Sequence, residues 1–153
     1  RVAAELDAGH DVAVICEGDP FFYGSYMYLH SRLAGRYDTT VVPGINSPVA
    51  GAAAISRPLV CGTEVVSVLS AVLAEEELKS ALAACDAAVI IKVGRNLPKV
   101  RSALESLDLM DRAFYVERAT WAEQHVCSLA DADTHGAPYF SMVVVPSATA
   151  SLR

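Results

Sequence analysis

Short apolar runs that stop at glycine or proline recur along this chain, and most are followed by a stretch with helical spacing. Val12-Ala13-Val14-Ile15-Cys16 ends in Glu17-Gly18-Asp19-Pro20, Thr39-Thr40-Val41-Val42 ends in Pro43-Gly44, and the very apolar residues 87–93 end at Gly94. A β-branched or apolar run bounded by such breakers reads as a strand, because proline lacks an amide proton and disfavours helix in the residue before it. Apolar residues then return at helical intervals, as in Leu97, Val100, Ala103, Leu104 and Leu107. Alternating strands and helices define an α/β chain, and the consecutive strands expected near the end, over 113–117, 124–129 and 139–145, make its sheet mixed.

The remaining elements follow from the same signals. Helices are expected over 2–8 with Gly9 as the stop, over 24–34 with Gly35 as the stop, and from Ser47-Pro48 through the Ala-rich stretch to Ile55. Strands are expected over 11–16, 39–42 and 64–69, the first of them buried. A helix over 75–84 turns Leu78, Ala81 and Leu82 inward, and Asn96 caps the helix that follows Gly94. Two lobes are expected, residues 1–57 and 58–153.

The 153 residues are 53% hydrophobic and 20% charged, which suits a folded domain with a core. No apolar run is long enough to span a bilayer, and the expected location is the cytoplasm. A net charge of −6 with scattered lysines and arginines argues against nucleic acid as the general partner. Cys16, Cys61, Cys85 and Cys127 form no C-x-x-C pair and are expected as reduced, buried thiols.

Strand-terminal turns at Gly18-Asp19-Pro20, Pro43-Gly44, Val93-Gly94 and Arg118-Ala119-Thr120 sketch a rim. In open α/β sheets the carboxyl ends of strands are where ligands bind, and small residues let a ligand reach the backbone. There is no G-x-G-x-x-G after a strand, no phosphate-loop motif and no zinc-ligand spacing. His10, His30, His125 and His135 lack the context of a nucleophilic triad, and His30 is expected to pack beside Tyr26.

Four strings, Glu17-Gly18-Asp19-Pro20-Phe21-Phe22-Tyr23-Gly24-Ser25, Val42-Pro43-Gly44-Ile45-Asn46-Ser47, Lys92-Val93-Gly94-Arg95-Asn96-Leu97 and Val116-Glu117-Arg118-Ala119-Thr120, resemble in order and spacing those of the tetrapyrrole methylases. The first string carried on to His30, the segment 92–99 and Ala137-Pro138-Tyr139-Phe140-Ser141 are most similar to the precorrin-2 C20-methyltransferases of cobalamin synthesis. The resemblance implies a two-lobed α/β fold with mixed sheets, lacking here the family's first strand and glycine-rich loop. The sequence is therefore expected to be an N-terminally truncated piece. It also implies a homodimer that uses S-adenosylmethionine, bound between lobes, to methylate precorrin-2 or its cobalt form, cobalt-factor II.

By the same resemblance the cofactor contacts fall on Glu17, Gly18, Asp19, Phe22, Asn46, Ser47, Val93 and Ala119. Glu17 replaces a frequent glycine of the family and Asn46 a frequent threonine. Arg57, Arg95 and Arg118 lie beside expected strand-edge loops and are candidates for binding substrate carboxylates. No general base and no metal ligand is assigned. The rival expectations are methylation at another corrin position or of another acceptor, and a fragment that binds cofactor without turnover.

Overall fold

A computed structural model describes residues 1–133 and 136–150. It contains two compact units, Arg1–Ser47 and Pro48–Arg153. The division precedes the lobe boundary expected after Arg57. The helix between the two positions, α3 (Ser47–Ala54), explains the difference, because from Pro48 onward it belongs with the sheet of the second unit. Gly51 lies so close to that sheet that a Cβ there would meet Met142 Sδ at 2.6 Å and Val144 Cγ2 at 3.1 Å.

The second unit is built on one five-stranded sheet, β1 (Val66–Ser70), β2 (Ala87–Ile91), β3 (Phe114–Glu117), β4 (His125–Ser128) and β5 (Ser141–Val145), in the order β1-β2-β5-β3-β4. Only β1 and β2 are parallel; β5 runs antiparallel to both β2 and β3, and β4 antiparallel to β3. Every residue of β2 and β5 is buried, as the apolar runs over 87–91 and 142–145 require of strands covered on both faces.

One face packs against α4 (Glu75–Ala83) and α5 (Leu97–Glu105) through Leu78, Leu82, Val100 and Leu104, with Ile90, Tyr115 and Val143 from the sheet. Successive strand residues point to opposite faces, so Val89, Ile91, Val116, Met142 and Val144 form the second cluster with Ile55. Polar contacts tie α5 to α4 and to the turn that precedes α4. Ser102 Oγ donates to Glu75 Oε1 at 2.8 Å, and Lys99 Nζ donates to the Leu73 carbonyl at 2.6 Å. Proline at the start of α5 costs no hydrogen bond there, and the expected inward face is the one buried.

The first unit departs from the sequence expectation. Its helices α1 (Val2–Asp7) and α2 (Tyr26–Leu33) form, and Gly9 takes the left-handed φ of +83° that stops α1. Gly35 does not adopt a left-handed conformation; α2 ends in a turn where Arg36 N donates to the Leu33 carbonyl. Residues 12–16 and 39–42, expected as strands, are extended without ladder pairing, and the first is exposed rather than buried, with Ile15 96% accessible. A strand is stable only when a neighbour takes up its backbone groups, and no neighbour does so among the described residues. These segments and the two helices instead border an open cavity of about 350 Å³, lined on one part by Val2, Leu6, Val14, Leu29, Leu33 and Val41 and on another by Asp38, Thr39 and Thr40. Tyr37 Oη, which donates to Asp7 Oδ1 at 2.6 Å, joins the chain beyond α2 to α1.

The thiols also differ from expectation: all four are free, but Cys61 is exposed and the others only half-buried. Among the described residues no helix is long and apolar enough to cross a membrane. His135 and residues 151–153 lie outside the described residues.

A clasp near β1 carries a pH prediction. Glu64 accepts hydrogen bonds from Thr149 Oγ1, from Ser147 Oγ at 2.7 Å and from the Cys61 amide at 2.6 Å, and these hold its carboxyl below the usual range. A lowered folded-state pKa stabilises the fold above the unfolded value, near 4.5, and that contribution is lost as pH falls through the folded value. Glu64→Gln is therefore expected to lower the urea midpoint at pH 7, with the deficit shrinking toward zero as wild type is titrated below pH 4.5. A deficit equal at pH 7 and pH 3 would contradict the linkage.

Candidate active site

In the first unit the site is two turns held together by one carboxylate. Asp19 begins the turn Asp19-Pro20-Phe21-Phe22, closed by the Phe22 amide donating to the Asp19 carbonyl at 3.2 Å, with proline in the position that its fixed φ favours. Asp19 Oδ1 accepts the Phe21 amide at 3.0 Å, the local bond expected of aspartate in a turn. Its Oδ2 accepts the Gly44 amide at 2.9 Å, 25 residues away in sequence. Both oxygens of a residue expected to contact cofactor therefore hold the loops in place.

The two loops approach so closely that a Cβ on Gly44 would fall on the Gly18 carbonyl oxygen. Gly18 itself has φ +73°, and a Cβ there would lie 3.4 Å from the Ile45 carbonyl and 3.8 Å from Asn46 Cα. Gly18 and Asp19 thus stand beside the Gly44–Asn46 loop, with Glu17 just before them and Phe22 on the same turn. Glu17 and Gly18 are exposed, and Phe22 is half-buried against Tyr23 at 5.1 Å between ring centroids. Phe21 packs edge-on to His30 at 4.9 Å, so the histidine supports the aromatic side of the turn. Ser47 is exposed at the start of α3.

In the second unit strand directions bring its own candidate residues to one edge. Because β5 is antiparallel to both β2 and β3, those two run the same way as β1, and the carboxyl ends of all three share one edge. That edge carries Val93, Gly94 and Arg95 after β2, and Arg118, Ala119 and Thr120 after β3. Val93 is fully buried, so its side chain belongs to the core; its carbonyl accepts the Asn96 amide at 2.6 Å, closing the turn. Gly94 has φ +33° with open space where a Cβ would stand. Ala119 is half-buried against the second core cluster, between Arg118 (φ +48°) and Thr120 (φ +72°).

The three arginines are not equivalent. Arg95 is exposed at the shared edge. Arg118 is there too, but its guanidinium is paired with the Glu117 carboxylate. Arg57 is elsewhere: its guanidinium lies 4.9 Å from the centre of the Phe114 ring, at the amino end of β3 and hence the opposite edge. Sequence position beside a turn says nothing about which end of a strand the turn serves.

Glu117 is the residue that sequence reasoning left out of the site, and Gly44, named there only as a turn of the rim, gains its bond to Asp19. Spacing held one signal, since Tyr115 and Glu117, two apart on a strand, share a face. The Tyr115 hydroxyl donates to Glu117 Oε2 at 3.1 Å, and burial pushes its pKa up to about 12, so it remains a neutral donor. Among the described residues no cluster of acidic, histidine or cysteine side chains is arranged to hold a metal ion.

Residues 1–133 match the family model of the Tetrapyrrole (Corrin/Porphyrin) Methylases. The chain belongs to this family. It is 52% identical over 145 residues to a precorrin-2 C(20)-methyltransferase of Sinorhizobium sp, a match that covers 95% of this chain and 59% of the relative. It is 49% identical over 146 residues to the cobalamin biosynthesis protein CobIJ of Mycobacterium tuberculosis (strain ATCC 25618 / H37Rv), covering 95% of this chain but 29% of that protein. The chain therefore spans less than two thirds of either relative. Among solved structures, a cobalt precorrin-4 methyltransferase shares the fold with a TM-score of 0.75 at 22% identity, over 94% of this chain and 67% of that one. A uroporphyrin-III C-methyltransferase from Thermus thermophilus, complexed with S-adenosylhomocysteine, gives 0.59 at 19% identity, over 83% and 61% of the two chains. The mixed α/β fold expected of a tetrapyrrole methylase is the fold observed.

Proposed function

We propose that this chain is part of an S-adenosylmethionine-dependent methyltransferase that methylates carbon 20 of precorrin-2, or of its cobalt form, in cobalamin biosynthesis. The observation that carries this reading is the 52% identity to the Sinorhizobium precorrin-2 C(20)-methyltransferase along nearly the whole chain. We further propose that the enzyme is a homodimer, as the family resemblance implies, and that it works in the cytoplasm.

The residues present fit such a cofactor. Gly94, with nothing within 4 Å of where a Cβ would stand, offers open backbone, which suits a ligand gripped through main-chain groups, while Gly18 is exposed but packs on its Cβ side against the Ile45 carbonyl. Cofactor contacts are assigned to Glu17, Gly18, Phe22, Asn46 and Ser47 in the first unit and to the backbone of Val93 and Ala119 in the second. Asp19 acts by fixing the turn. The cofactor's sulfonium supplies an electrophilic methyl group. The protein's part is to orient the reactants and exclude water, effects worth on the order of 7–11 kcal/mol in favourable intramolecular analogues. Arg95 is assigned to the substrate's carboxylates. Arg118, whose guanidinium is taken up by Glu117, and Arg57, at the other edge, are not.

Gly18→Val and Asp19→Ala are each expected to abolish S-adenosylhomocysteine binding in a calorimetric titration, the first through strain at φ +73° and the second by freeing the Gly44 loop. Unchanged affinity in both would remove the turn from the site. Labelled methyl transfer to a panel of tetrapyrroles, with the product's methyl position read by NMR, tests the acceptor. Transfer at another ring position would overturn the carbon-20 assignment, and cofactor binding without turnover would favour a non-catalytic role.

A further inference from the structure

The loop Arg118-Ala119-Thr120 stands in a conformation its residues disfavour. Arg118 and Thr120 both have left-handed φ, at +48° and +72°, where a side chain is strained, and most of all one branched at Cβ. Such a backbone persists only if its surroundings hold it. The restraints are specific: the Arg118 amide donates to the Phe140 carbonyl at 2.8 Å, the Trp121 amide to the Arg118 carbonyl at 3.0 Å, and the Thr120 amide to Gln124 Oε1 at 2.7 Å. The remaining one is the Arg118 side chain, paired with Glu117.

Glu117 is suited to anchor it. Its side chain is only 17% exposed, one oxygen receives the Arg118 guanidinium and the other the hydroxyl of Tyr115, which is itself buried in the sheet. The ladder sets Glu117 between His125 on β4 and Ser141 on β5, two strands whose amino ends fix its backbone. Tyr115, Glu117 and Arg118 therefore form a continuous path from the core to the strained loop.

We propose that Glu117 is a positioning residue: through Tyr115 on one side and Arg118 on the other it holds the Arg118–Thr120 turn in its left-handed conformation, and so presents Ala119 to ligand. The part concerning ligand rests on the cofactor reading above; the part concerning loop conformation does not. A structural glutamate far from the loop would serve the sheet equally but would leave the loop unchanged when removed.

Trp121, the only tryptophan in the sequence, packs on Phe140 at 5.3 Å between ring centroids and reports on this loop directly. In Glu117→Ala its emission is expected to shift to the red and become more open to acrylamide quenching, and S-adenosylhomocysteine affinity to fall about tenfold. Glycine adopts positive φ without strain, so Glu117→Ala combined with Arg118→Gly is expected to restore much of the parental emission and affinity. Parental fluorescence in a folded Glu117→Ala, or a double variant as red-shifted as the single one, would overturn the proposal. If Glu117→Ala fails to fold by far-ultraviolet circular dichroism, Tyr115→Phe replaces it. That variant is expected to show a smaller shift in the same direction, and no shift would again overturn the proposal. If the parent chain binds no S-adenosylhomocysteine, the cofactor reading fails, while the Trp121 measurements still decide the loop's anchor.

Discussion

Gly44→Val is expected to abolish S-adenosylhomocysteine binding, lowering affinity by about a hundredfold or more. The reason is a backbone clash: the new Cβ would fall on the Gly18 carbonyl oxygen, and the loop has no flexible side-chain tip to move aside. Overpacking of this kind costs about 1–3 kcal/mol, and relief by separating the loops also breaks the bond between the Gly44 amide and Asp19. Gly44→Ala introduces the same Cβ and is expected to behave alike, whereas replacement at Gly35, where nothing lies within 4 Å of an added Cβ, is expected to leave binding as it was. Titrating the three variants checks this, and a Gly44→Ala that binds like the parent would refute the close approach.

Leu97→Ala is expected to destabilise the protein by about 2–5 kcal/mol in urea unfolding, the usual cost of truncating a fully buried leucine. Leu97 opens α5 directly after the Gly94–Asn96 turn and shares its cluster with Val93, Leu78 and Val143. The cavity would thus form beneath the turn at the edge that carries Arg95. The comparison is Val72→Ala at an exposed position, expected to change stability by less than about 0.5 kcal/mol. Equal effects from the two variants would mean that Leu97 is not in the core.

Legibility from sequence differed between the two units for a physical reason. In the second unit nearly every strand and helix falls within a residue or two of where breakers and periodicity set it: residues 64–69 against β1, 87–93 against β2 and 139–145 against β5. There each apolar run finds a partner, so local preference and tertiary structure agree. Residues 12–16 and 39–42 carry the same β-branched signal, yet they remain unpaired, because a run of valines reports a tendency to be buried and not whether a neighbouring strand is available. In the site, the turns at Gly18 and Gly94 were legible from glycine alone, and both take positive φ. The Asp19–Gly44 bond was not, since nothing local in either turn points 25 residues along the chain.

By itself, then, the amino-acid sequence determined the alternation of strands and helices, the faces of α4 and α5 that turn inward, the turns that end the strands, and the family the motifs resemble. These depend on interactions within a few residues, or on residue types that only one backbone conformation accommodates. The tertiary structure alone decided that the ends of β2 and β3 share an edge while Arg57 stands at the other, and that Glu117 occupies Arg118. Those outcomes depend on strand order and direction, which are set by pairing between segments distant in the chain, and no local pattern encodes which segments will meet.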